Sequence, residues 1–168
     1  MERKITMKGN PLTLVGNEVK PGDKAPDFEV VANDLSPVKL SDFAGKVCII
    51  AVVPSLDTGV CDKMTRRFNE EAASLGPDVK VLTISMDLPF AQARWCGAAG
   101  IKNLQTLSDH KTASFGNAYG MLIKDLRLLA RGVFVIDKSG IIRYAQLVPE
   151  ITQEPDYAQA LEAAKRLL

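Results

Sequence analysis

Apolar residues along the chain follow two rhythms. Val47-Cys48-Ile49-Ile50-Ala51-Val52-Val53 is a continuous β-rich run, the pattern of a central strand covered on both faces. Pro54 stops it. From Val60 the spacing changes to Val60, Met64, Phe68, Ala72 and Leu75, which places these side chains on one face of a helix that ends at Gly76-Pro77. Val79 to Ser85 predicts a second buried strand. Pro89 to about Cys96 predicts a second helix, since proline suits a first turn and Gly97 and Gly100 suit a stop. Later, Val133-Phe134-Val135-Ile136 and Ile141-Ile142-Arg143-Tyr144 flank Asp137-Lys138-Ser139-Gly140, a turn so short that the two strands must be antiparallel. A closing segment opens with Pro155 and repeats Tyr157, Leu161, Ala164 and Leu168 at helical spacing. Near the start, Ile5-Thr6-Met7 and Leu12-Thr13-Leu14-Val15 flank Lys8-Gly9-Asn10-Pro11 and predict a hairpin. Phe28 to Val31 and Val38 to Leu40 predict further short strands.

Strand, helix, strand, helix, then an antiparallel pair and a last helix require an α/β chain with a mixed central sheet. Helices on both sides and an N-terminal β-hairpin complete a thioredoxin-like outline. No repeat, low-complexity tract or polar linker divides the chain, so residues 1–168 are expected to form a single domain. Apolar residues at 46% and charged residues at 24% exclude a disordered or fibrous chain. Lys plus Arg (21) balances Asp plus Glu (20), with no basic run to neutralise a row of phosphates; nucleic acid is not an expected partner. No apolar run approaches the length of a membrane span or of a signal peptide. A cytoplasmic location away from the membrane is therefore expected.

The three cysteines, Cys48, Cys61 and Cys96, form no CxxC pair and no metal-ligand cluster with the single histidine, His110. Reactive thiols in a reducing compartment fit this arrangement better than a disulfide scaffold, and neither metal nor cofactor is implied. Pro54-Ser55-Leu56-Asp57-Thr58-Gly59-Val60-Cys61-Asp62 joins the C-terminal end of a buried strand to a helix start, the place where open α/β sheets put their ligand crevices. There Cys61 feels the positive end of the helix dipole and unpaired N–H groups, which favour thiolate over thiol. Thr58 can turn its hydroxyl towards the sulfur or a bound oxygen, while Pro54 shields the sulfur and adds no competing N–H. Asp57 and Asp62 oppose a thiolate unless paired with a cation, for which Arg66, Arg67 and Arg131 are candidates. Burial preference assigns Cys48 to the core. Read alone, Cys96 is structural, Arg131 a surface charge at a strand end, His110 a solvated loop residue and Trp95 a packing anchor.

The spacing Pro54-x-x-x-Thr58-x-x-Cys61 resembles the active-site motif of the peroxiredoxins. Two longer strings, residues 54–61 and Asp87-Leu88-Pro89-Phe90-Ala91-Gln92-Ala93-Arg94-Trp95-Cys96-Gly97, resemble the bacterial thiol peroxidases, atypical two-cysteine peroxiredoxins. The similarity runs from Leu14-Val15-Gly16 to Ile151 through Tyr157. It implies that Cys61 is the peroxidatic cysteine, with Pro54 and Thr58 forming its pocket. Arg131 would hold the thiolate and polarise a hydroperoxide, and Cys96 would be the resolving cysteine. It further implies a homodimer recycled by thioredoxin. On this reading a Cys61 sulfenic acid condenses with Cys96 to a disulfide. The two cysteines lie on separate helices, so one or both helix ends must unfold locally, aided by Gly59, Gly97 and Gly100.

Three other functions compete. A cysteine hydrolase needs a histidine base, for which only His110 is available. A disulfide exchanger lacks its CxxC. A non-enzymatic binding module would not need Cys61.

Overall fold

The computed structural model describes residues 3–168. Its central sheet has seven strands in the order β11-β10-β5-β6-β7-β3-β4. These are β3 (Glu29–Val31), β4 (Pro37–Lys39), β5 (Val47–Val52), β6 (Val79–Ser85), β7 (Gln105–Ser108), β10 (Gly132–Ile136) and β11 (Ile142–Leu147). β5, β6 and β7 are parallel, and β10 joins β5 antiparallel. Every residue of β5 and β10 is buried, as their unbroken apolar sequences demand. Their side chains alternate between two cores. Val47, Ile49, Ala51, Val133 and Val135 face one, and Cys48, Ile50, Val52, Phe134 and Ile136 the other.

The crossovers β5-α1-β6 and β6-α2-β7 move in the same direction across the sheet. Right-handed connections therefore set α1 (Gly59–Ala72) and α2 (Pro89–Ala99) on one face. Met64 and Phe68 of α1 are buried there with Ala160, Leu161 and Ala164 of α4 (Tyr157–Lys165). Burial of each large apolar side chain stabilises the fold by about 1.5–3 kcal/mol. Asp156 caps α4 by accepting from Gln159 N–H at 3.0 Å. The second helix runs past Cys96 and Gly97 and stops at Gly100, whose φ of 69° is the left-handed conformation of a helix end.

Elements that the sequence pattern announced only in part cover the opposite face. A short helix α3 (Ser114–Tyr119) buries Phe115 and Tyr119. Beside it lies a second sheet, β1-β2-β8-β9, made of β1 (Arg3–Met7), β2 (Asn10–Val15), β8 (Leu122–Ile123) and β9 (Leu128–Leu129). β1 and β2 are the expected hairpin, closed by Lys8 and Gly9 at positive φ of 51° and 82°, the conformation that a two-residue turn between twisted strands requires. The hairpin is fastened to the segment after β11. Thr6 N–H donates to the Pro149 carbonyl at 2.8 Å, and Ile151 N–H to the Thr6 carbonyl at 2.9 Å. Glu150 takes Thr6 Oγ1 and Gly9 N–H, both at 2.9 Å. Hydrogen bonds from the Thr152 hydroxyl and from Gly9 N–H hold its carboxyl down to about 2.

Candidate active site

β5 delivers the chain to the C-terminal edge of the parallel strands, where Pro54 is buried and residues 55–58 form a loop into α1. Thr58 is the extended residue before the helix. Its N–H and hydroxyl both donate to the Ser55 carbonyl, at 3.2 and 3.0 Å. The expected turn of that hydroxyl towards the sulfur is thus replaced by a bond that closes the loop, which leaves the lone pairs of the Thr58 oxygen as the acceptor it can offer a substrate. The first rung of the helix is Asp62 N–H to the Thr58 carbonyl, 2.9 Å. The N–H groups of Gly59, Val60 and Cys61 precede that ladder, so the Cys61 sulfur lies in the positive field of a helix start.

Cys61 is fully buried, at 0% exposure, and Arg131 is 2% exposed. Arg131 Nη2 donates to Cys61 Sγ at 3.1 Å. The same guanidinium donates from Nε to the Ile151 carbonyl at 2.8 Å and approaches Met64 Sδ from Nη1 at 3.6 Å. Arginine immediately precedes β10 rather than opening it. The next residue must be small, because a Cβ at Gly132 would stand 2.6 Å from the Gln146 carbonyl oxygen and 2.7 Å from Met121 Cε. A buried cation needs an anion or dipoles, and here the carbonyl of Ile151 and the Cys61 sulfur supply them. The nearby carboxylates are turned to other work. Asp62 pairs with Arg66 one turn along α1, and Asp57 is exposed. Arg67 pairs with Glu71 at 3.3 Å and lies over the Tyr157 ring at 4.9 Å, which leaves Arg131 as the cation against sulfur.

Cys96 is not brought to Cys61. Its sulfur lies 3.3 Å from Thr106 Oγ1 on β7, and that hydroxyl lies 3.1 Å from Asn33 Oδ1. All three cysteines are free thiols. Both helices start from the same sheet edge. Cys61 is the third residue of its helix and Cys96 the eighth, more than a turn further along. Trp95 is half-buried against the core under α1, with the Arg66 guanidinium 5.6 Å from its ring centroid.

Cys48 is in the opposite core, where burial pushes its thiol up to about 11 despite the opposing charge of Lys80. His110 follows β7, its N–H 3.3 Å from Ser108 Oγ and its carbonyl 3.5 Å from Arg127 Nη1. Its neighbour Asp109 is 2% exposed. Asp109 accepts from Phe115 and Gly116 N–H at 2.9 and 2.8 Å and so anchors α3. Burial raises its carboxyl to about 6, against the lowering effect of those two bonds.

Sequence reasoning passed over Asp87. Its carboxylate accepts from Ser55 Oγ at 2.7 Å, Leu56 N–H at 2.8 Å and Ser85 Oγ at 2.7 Å. The available signal was its place between the end of a buried strand and the proline that starts α2, with serines at 55 and 85 able to donate.

A helix-mouth cysteine facing a buried arginine, carried on a mixed sheet of thioredoxin-like form, defines a thiol-based oxidoreductase. Residues 20–161 match the family model Redoxin. Two relatives named thiol peroxidase, from Halalkalibacterium halodurans and Bacillus subtilis, are each 63% identical over 164 residues, covering 98% of this chain and 98% of theirs. The crystal structure of a peroxiredoxin-like protein from Aquifex aeolicus superposes with a TM-score of 0.93 at 45% identity, covering 99% of this chain and 98% of that one. A thiol peroxidase from Chromobacterium violaceum, 19% identical, shares the fold at a TM-score of 0.86 over 97% of this chain and 95% of its own. The chain belongs to the redoxin family and, within it, to the thiol peroxidases. Its class is that of a thiol-dependent peroxidase, an oxidoreductase. No helix among the described residues is long and apolar enough to cross a membrane.

Proposed function

We propose that Cys61 reduces hydrogen peroxide and organic hydroperoxides within one domain spanning residues 1–168, and that Cys96 then converts the oxidised sulfur to an intramolecular disulfide. The observation that carries this reading is the 3.1 Å contact between Arg131 Nη2 and Cys61 Sγ, with both groups buried. A cation and helix-start N–H groups at one sulfur favour its anionic, nucleophilic form. The thiolate attacks the near oxygen of the hydroperoxide. The sulfur–oxygen bond forms as the oxygen–oxygen bond breaks, sulfur gives up two electrons, and the far oxygen takes a proton and leaves as water or alcohol. Arg131 faces the charge that develops on those oxygens. Thr58 Oγ1, whose proton is committed to the Ser55 carbonyl, accepts the hydrogen of the incoming hydroperoxide, and Pro54 walls the pocket.

Resolution follows on Cys96. Its thiol attacks the Cys61 sulfenic acid, forms the sulfur–sulfur bond and releases the hydroxyl with the thiol proton as water. Cα atoms of a disulfide lie within about 7 Å, and the offset of the two helices means that a helix end must unwind first. A dithiol reductant such as thioredoxin restores both thiols by exchange. The working unit is a cytoplasmic homodimer. Thiols supply all the electrons, so the cycle calls on neither metal nor cofactor.

One equivalent of hydrogen peroxide added to reduced protein, followed by quenching and peptide mapping by mass spectrometry, tests the scheme. A Cys61–Cys96 disulfide within one chain is expected, with Cys48 still reduced. Unreacted thiols or a bond to Cys48 sink it.

A further inference from the structure

Asp87 takes no part in that cycle, yet it sits where the two reacting segments meet. One carboxylate oxygen accepts from Ser55 Oγ at 2.7 Å, and the other from Leu56 N–H at 2.8 Å and Ser85 Oγ at 2.7 Å. On one side the network continues to the catalytic helix. The Ser55 carbonyl receives the N–H and hydroxyl of Thr58, and Ser55 Oγ receives Asp57 N–H at 3.2 Å. On the other side it continues into α2. Ser85 Oγ accepts from Gln92 Nε2 at 3.0 Å, and that fully buried amide also donates to the Leu107 carbonyl at 2.9 Å. Gln92 lies one helical turn before Cys96. The Asp87 carbonyl is itself held by Ser108 Oγ at 2.5 Å. A single carboxylate thus fixes the lip of the Cys61 pocket to the start of the Cys96 helix.

We propose that Asp87 is a positioning residue, a latch that holds the loop over Cys61 in the form that attacks peroxide and must release it before the disulfide can form. This rests on the proposed roles of Cys61 and Cys96. Attack on peroxide needs Thr58 and the helix mouth in place, whereas disulfide formation needs a helix end to unwind. Bonds that join both segments therefore favour the first conformation over the second. Removing them shifts the population, so the two half-reactions must respond in opposite directions.

Asp87→Ala deprives Ser55, Leu56 and Ser85 of their common acceptor. In rapid mixing with hydrogen peroxide, sulfenic acid formation is expected to slow about tenfold, and disulfide formation to quicken about threefold or more. Faster resolution leaves less sulfenic acid exposed to a second peroxide, so inactivation through sulfinic acid should require more peroxide than in the parent protein. Asp87→Asn keeps one oxygen for Leu56 and Ser85 and offers its amide to Ser55 Oγ, so it should recover the parent rates to within about threefold. Slowing of both steps together, or two unchanged rates, overturns the latch. Should circular dichroism show Asp87→Ala unfolded, Ser55→Ala decides instead. It deletes the bond from Ser55 Oγ to Asp87 and the one that oxygen accepts from Asp57 N–H, and opposed shifts of about threefold are expected; shifts in the same direction, or none, overturn the proposal. Mapping of the oxidised parent protein keeps the two readings apart. Absence of its Cys61–Cys96 disulfide overturns both, whereas a normal disulfide with proportionate rate losses in the variants overturns the latch alone.

Discussion

Replacing Arg131 probes the contact on which the proposed chemistry stands. The guanidinium makes two directed bonds at once, Nε to the Ile151 carbonyl at 2.8 Å and Nη2 to the Cys61 sulfur at 3.1 Å, and its burial removes the screening that water would supply. Arg131→Met fills much of the space with no charge and no donor. Loss of one preorganised donor at a site of developing charge costs about 2.7–4 kcal/mol, a hundredfold to a thousandfold in rate. Arg131→Lys keeps a charge but cannot present a planar fork to two partners, so a smaller loss of about tenfold to a hundredfold is expected. Single-turnover consumption of hydrogen peroxide measures this step apart from recycling, and the iodoacetamide reaction rate of Cys61 follows its thiolate content in parallel. Rates ordered wild type, Lys, Met are expected in both assays. A methionine variant within about threefold of the parent would show that the helix start alone activates the thiol, and the reasoning from the buried cation would be wrong.

Four further outcomes follow from the structure. Gly132→Ala forces a methyl against the Gln146 carbonyl oxygen and Met121 Cε, and urea unfolding should show a loss of about 1–3 kcal/mol together with slower peroxide reduction as the neighbouring arginine shifts. Burial that pushes Cys48 up to about 11 predicts that at pH 8 native protein is alkylated at Cys61 and Cys96 before Cys48, which reacts only in denaturant. For Asp109 the folded carboxyl, raised to about 6, binds a proton that the unfolded chain holds only below about 4. Its stabilising contribution is complete below that lower value and falls as pH rises to 6, by on the order of 2 kcal/mol. Asp109→Asn should flatten this slope in urea unfolding between pH 4 and 6, and at pH 7 it should also weaken the fold, since an amide offers one acceptor to two N–H groups. His110→Ala should leave peroxide turnover unchanged, whereas a hydrolase dependent on that imidazole would lose its activity.

β5, β10 and α1 were legible because burial on both faces writes an unbroken apolar run, and burial on one face writes a helical repeat. β7 was not, since Thr106 and Ser108 are polar residues inside the protein, satisfied by Cys96 with Asn33 and by the Asp87 carbonyl. Two of those three partners, Asp87 and Asn33, lie 21 and 73 residues away, which no local window contains. The six residues of α3 are too few to show a period, and the two-residue strands β8 and β9 carry no alternation. The position of Cys61 could be argued from its strand and helix alone. Arg131 could not, because its residue type favours the surface and its burial becomes possible only when Ile151 and Cys61 arrive around it. The resemblance to peroxiredoxins singles it out where local physics points elsewhere. The main chain of Ile151 leaves no trace in residue type at all.

That carbonyl gives the N-terminal hairpin a reach beyond its own sheet. Ile151 is held from behind by the Thr6 carbonyl and from beside by Glu150, whose carboxylate grips Gly9 at the hairpin's tip. Aim at the sulfur is therefore set in part by strands that never approach it. A tag, clamp or antibody that pried the hairpin loose would dull the enzyme with Cys61 and Arg131 still present.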